Sequence, residues 1–62
     1  MTDDEVIDQA ATDGFELGER VVGDAWVWGW ARGDDERWPC FLERRLALDW
    51  MADRLTRGRV FA

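Results

Sequence analysis

The run Ala25–Ala31, AWVWGWA, sets three tryptophans at alternate positions. A period of two is the period of a β-strand, whose side chains point by turns to opposite faces. The valine-rich residues before it extend the signal, so the spacing predicts a strand over 20–31. One face then carries Val22, Asp24, Trp26, Trp28 and Trp30; the other carries Val21, Gly23, Ala25, Val27, Gly29 and Ala31. The first is all bulk and the second nearly all small. The bulky face is expected to be the core side.

Downstream, RGDDE supplies turn residues in Gly33 and Asp34–Asp35, and a hairpin into RWPCFL follows, with its second strand over about 36–42. Pro39 cannot donate a ladder hydrogen bond, which assigns that strand to an edge. Upstream, FELGERVV alternates at first and Gly18 marks a bend. LERRLALDWMADRLTRG reads as a helix over about 42–57, rich in Leu, Ala, Arg and Glu. Gly58 stands where a C-terminal cap belongs, and RVFA follows as a tail or a further short strand. At the other end, TDDE is a capping-box pattern that opens a short acidic helix over about 3–12, closed by Gly14. Val6, Ile7, Ala10 and Ala11 form its apolar stripe. The expected fold is α+β: a small antiparallel sheet (hairpin 20–31/36–42) on a C-terminal helix, with an N-terminal helix or arm over 1–14, all in one domain.

Sixty-two residues are few for such a fold. A domain this small buries only about 60% of the surface its unfolded chain exposes. The single cysteine, Cys40, allows no internal disulfide, and the absence of histidine leaves a zinc site short of ligands. In WPCFL, Cys40 reads as a buried small hydrophobe. A second protein, or a second copy of this one, is the remaining support.

The helix carries two apolar columns. Leu48, Met51, Ala52 and Leu55 form the expected core stripe, while Leu42, Leu46 and Trp50 rise at i, i+4 spacing on another side. Burying one indole removes about 150–250 Å² from water. Five are hard to enclose in one small domain. At least one of the strand rings, and Trp50, are therefore expected at the surface, where Trp and Arg are favoured in binding hot spots. The expected partner-binding set is Trp26, Trp28, Trp30, Leu46, Trp50 and Arg54, together with the acids Asp3, Asp4, Glu5 and Asp8.

Charge divides the chain. Residues 1–19 hold seven acids and no base; residues 20–62 hold eight arginines and seven acids, for a net −6. The acidic segment suggests a basic partner, a protein that itself handles nucleic acid. Direct nucleic-acid binding is disfavoured by the net charge and by the lack of a basic stripe. Enzymatic chemistry finds little to work with, since histidine, serine, tyrosine and lysine are all missing. Asp34–Glu36 reads as a solvated turn, no metal or other cofactor is expected, and no Gly-rich phosphate loop is present. MTDDEVIDQAATDG has neither the basic nor the apolar region of a secretory leader, so a cytoplasmic setting is expected. The arginine-for-lysine bias is that of a GC-rich bacterial, phage or archaeal genome. The expected function is a non-enzymatic protein-binding module, a small acidic inhibitor of the anti-CRISPR or anti-restriction kind. The alternatives are a homodimeric regulatory or structural protein and a hairpin–helix nucleic-acid accessory protein.

Overall fold

The alternating valines and tryptophans conceal a turn. Gly23 adopts φ +62°, a left-handed backbone that glycine alone takes without steric cost. It opens a two-residue loop, Gly23–Asp24, whose closing pair is Val22 and Ala25. Glycine at the first loop position suits the turns that match strand twist. The strand predicted over 20–31 is therefore two strands, β1 (Phe15–Val22) and β2 (Ala25–Arg32), paired antiparallel from Val22↔Ala25 to Phe15↔Arg32. The turn also exchanges two side chains: Val21, opposite Trp26, lies on the tryptophan face, and Val22 lies on the other.

The computed structural model describes residues 1–35 and 37–60, with side chains to 57. After β2, Gly33 at φ +61° turns the chain, and β3 (Cys40–Phe41) pairs with β2 through Trp28↔Phe41 and Gly29↔Cys40. The second strand predicted over 36–42 is thus two residues long. Pro39 stands immediately before it, and Glu36 lies outside the described residues. The sheet order is β1-β2-β3, so β3 is an edge, as Pro39 requires, and β1 is the other.

Both helices form. In α1 (Asp3–Thr12) the capping box is complete: the Glu5 N–H donates to Thr2 Oγ1 at 3.3 Å, and the Thr2 N–H donates to Glu5 Oε1 at 3.4 Å. Asp3, Asp4 and Glu5 place negative charge at the positive end of the helix dipole. Gly14, at φ +88°, lets the chain reverse into β1. The second helix, α2 (Arg44–Val60), begins two residues after the predicted start and runs through Gly58, which is not its cap. Arg59 and Val60 of the predicted tail continue it; Phe61 and Ala62 lie outside the described residues.

The helices cover one end of the tryptophan face. Val6 and Ala10 from α1, Phe15 and Trp30 from the sheet, and Leu48 and Met51 from α2 make the core. Trp30 is 1% exposed, and its indole N–H donates to the Ala47 carbonyl at 2.9 Å. An aromatic flank extends this core toward β3. Trp38 meets Phe15 edge-on at 4.9 Å between centroids, and Trp50 stands 6.5 Å from Trp38 and 6.3 Å from Phe41. Cys40, expected to be buried, is an exposed free thiol. Its register with Gly29 sets it on the sheet face opposite the helices, where Arg20 Nη2 donates to its Sγ at 2.6 Å.

Candidate protein-binding surface

The sheet is longer than the helices cover. Residues opposite one another share a face, so Phe15, Leu17, Glu19 and Val21 of β1 line up with Arg32, Trp30, Trp28 and Trp26 of β2. The three tryptophans lie on the core side, as alternation requires, but their burial falls steadily along the strand. Trp30 is enclosed, Trp28 is half-buried with the Arg44 guanidinium 6.0 Å over its ring, and Trp26 is 65% exposed. Val21 is 54% exposed beside Trp26, and Val22 is 56% exposed on the opposite face. The hairpin end therefore presents an apolar tip with an open indole. Trp30, expected among the partner-binding residues, is removed from that set because its ring is enclosed by both helices.

The other expected residues separate into two groups. Leu46 is half exposed on the outer side of α2, with Leu42 more open one turn before it. Leu42 itself precedes the helix. Trp50, the third member of that column, leans into the aromatic flank instead. Arg54 is held there too, its guanidinium 5.1 Å from the Trp38 ring, 5.5 Å from Phe15 and 5.8 Å from Trp50. Cation–π contacts of this kind stabilise by roughly 0.5–1 kcal/mol at exposed sites. Their work here is internal. Trp38, which joins two of the three aromatic pairs and takes one of the three Arg54 contacts, carries no sequence signal beyond its place between the turn and Pro39.

The acids also divide. Asp3 bridges to α2, with Arg45 Nη2 at 2.8 Å and Arg44 Nη1 at 3.8 Å. The Asp3 carboxylate holds the Arg45 guanidinium above the ordinary arginine range. Glu5 completes the capping box. Asp4 and Asp8 are exposed and form no ion pair among the described residues. On α2, Arg45 also meets Asp49 at 3.2 Å, and Arg57 meets Asp53 at 3.0 Å. At the β2–β3 turn, Asp35 accepts from the Arg37 N–H and Nε, each at 3.0 Å, and this bonding holds its carboxyl below the ordinary aspartate range. A carboxylate so engaged is a turn anchor rather than a cation ligand. Among the described residues no cluster of acids or cysteine could hold a metal ion, and no helix is long and apolar enough to cross a membrane.

Comparison of the chain with protein-family models, with curated proteins and with solved structures found no match.

Proposed function

We propose that this chain is a non-enzymatic protein-binding module, a small acidic inhibitor whose partner is a basic protein of nucleic-acid-handling machinery. The observation that carries the reading is Trp26: an indole 65% exposed at the end of a hairpin, with half-exposed Val21 beside it and half-exposed Val22 on the opposite face. Holding an indole in water forgoes several kcal/mol of burial, about 25 cal/mol for each Å² of apolar surface. Exposed apolar patches with a charged surround are the mark of interaction surfaces. Asp4 and Asp8, which have no ion-pair partner among the described residues, supply complementarity to a basic surface and would speed association at low salt. Direct contact with nucleic acid is disfavoured by the pairing of Arg44, Arg45 and Arg57 with this chain's own acids.

The test is affinity capture from a nuclease-treated lysate of the native host, eluted with salt and identified by mass spectrometry. The reading expects a basic nucleic-acid-binding protein, released by moderate salt and lost on Trp26→Ala. Since Trp26 is exposed, that variant keeps its circular-dichroism spectrum. Recovery of this chain alone would replace the inhibitor with the homodimer. A captured partner indifferent to Trp26→Ala and to Asp4→Asn/Asp8→Asn would overturn the docking surface.

A further inference from the structure

Among the described residues no strand pairs with the outer edge of β1, and the chemistry of that edge specifies what fits. Resting on the protein-binding reading, we infer that β1 accepts an extended basic segment of the partner as a fourth strand.

The direction of the backbone groups follows from one pair of hydrogen bonds. The Arg32 N–H donates to the Asp35 carbonyl at 3.0 Å, and the Asp35 N–H donates to the Arg32 carbonyl at 3.1 Å. Both Arg32 groups thus face away from β1. In an antiparallel ladder this alternates along the strand, so Trp30, Trp28 and Trp26 also turn their backbone groups away from β1. Trp28 uses its groups on β3, as the pairing with Phe41 requires. The cross-strand partners Leu17, Glu19 and Val21 then point their N–H and C=O groups off the outer edge. Among the described residues, none of these groups has a backbone partner.

An edge of this kind is normally guarded by proline, a bulge or charged side chains, lysine above all. FELGERVV contains no proline or lysine and its register with β2 is unbroken; its charges, Glu16, Glu19 and Arg20, turn away an apolar strand but leave the backbone groups open to a strand of complementary charge. Gly18 adds a second indication. It lies mid-strand with no positive φ, and a Cβ placed on it would meet nothing within 4 Å. The packing of this chain does not ask for glycine there. Glycine inside a strand is used where another backbone approaches closely.

Beside the edge runs a groove of about 600 Å³, with Ile7, Leu17, Glu19, Arg20, Trp28 and Arg44 in its lining. Helical spacing puts Asp4 and Asp8 next to Ile7 and Ala11, and Glu16 and Glu19 stand on β1 itself. None of these four acids has an ion-pair partner among the described residues. Arg44 is engaged by Asp3 and Trp28. β1 carries one base, Arg20, which donates to Cys40 Sγ; a second copy could set that base opposite Glu16, but it would leave Asp4, Asp8 and Glu19 without a basic partner. Charge therefore selects a basic strand, with apolar residues alternating so that one side enters the groove. Strand addition takes affinity from the main chain and specificity from alternate side chains.

The probe is a capped eight-residue peptide of alternating valine and lysine, titrated into the isotopically labelled full chain and followed by amide NMR. The inference expects shifts centred on Leu17, Glu19 and Val21, and much weaker binding by a valine–glutamate peptide. Glu19→Pro should abolish these shifts while the fold survives, because the Glu19 N–H is not part of the β2 ladder. Glu16→Gln/Glu19→Gln, which leaves the backbone untouched, should weaken binding about three-fold per charge. Shifts confined to the hairpin tip, equal binding of the acidic peptide, or edge shifts that depend on protein concentration without peptide would each overturn the inference. So would no shift at millimolar peptide. If the edge proposal fails but Trp26-dependent capture persists, the protein-binding reading stands without it.

Discussion

Trp26 and Trp30 lie on the same face of the same strand, and the fold assigns them opposite energetic roles. Trp30 is 1% exposed and bonded through its indole N–H to Ala47. Removing such a ring, as in Trp30→Ala, costs about 3–5 kcal/mol in comparable cores. A single core in a domain this small rarely supplies more than about 3–5 kcal/mol of net stability. Trp30→Ala should therefore leave little folded protein. Trp30→Phe is the measurable version. It retains most of the ring, leaves a small cavity and loses one hydrogen bond, for about 1–2 kcal/mol in total. Trp26→Ala, at a site 65% exposed, should stay within about 0.5 kcal/mol of the wild type. Urea unfolding followed by far-ultraviolet circular dichroism separates the two, since the slope for a chain this small is about 1 kcal/mol per molar. Trp30→Phe should lower the midpoint by about 1–2 M, and Trp26→Ala should barely move it. A Trp26→Ala midpoint as low as that of Trp30→Phe would refute the assignment of core and tip.

Three further outcomes follow from single positions. Gly23→Ala should destabilise by about 1 kcal/mol, the steric cost of a left-handed φ, whereas Gly18→Ala should be near neutral; equal losses in thermal melts would contradict the turn. Cys40 should react with iodoacetamide in the folded protein, and a thiol modified only after unfolding would return it to the core. Asp35, bonded by Arg37, should titrate below the ordinary aspartate range in carboxyl NMR. Its contribution is therefore present above the ordinary aspartate range and is lost as pH falls through its lowered folded value. Arg37→Gln removes the guanidinium but keeps the backbone N–H donor, so it should raise the midpoint part of the way toward the ordinary range, and a midpoint unmoved by that change would exclude the side-chain contact.

The parts legible in the sequence were those that local physics decides. TDDE gave α1 because a capping box is a four-residue event. The stripe Leu48, Met51, Ala52, Leu55 gave the inner side of α2 because helical period and burial coincide. The two-residue turn at Gly23–Asp24 was hidden because Val22 and Ala25 continue an apolar pattern across it, and the more polar RGDDE drew the hairpin to itself. That one misplacement moved Val21 onto the tryptophan face and put β1, not only β3, at an edge. Cys40 was misplaced because its apolar neighbours say nothing of which sheet face it occupies. The face follows from its register with Gly29, a tertiary fact. The gradient of burial from Trp30 to Trp26 was likewise invisible to a period of two, since it depends on how far the helices reach along the sheet.

The central claim is that this molecule keeps one sheet edge and its hairpin tip open for another chain. Amide hydrogen exchange along β1, measured at two protein concentrations, tests it most directly. The account predicts slow exchange at Gly18, Arg20 and Val22, which bond to β2, and fast exchange at Leu17, Glu19 and Val21, unchanged on dilution. Uniform protection of all six amides would contradict it and show that the edge is already covered.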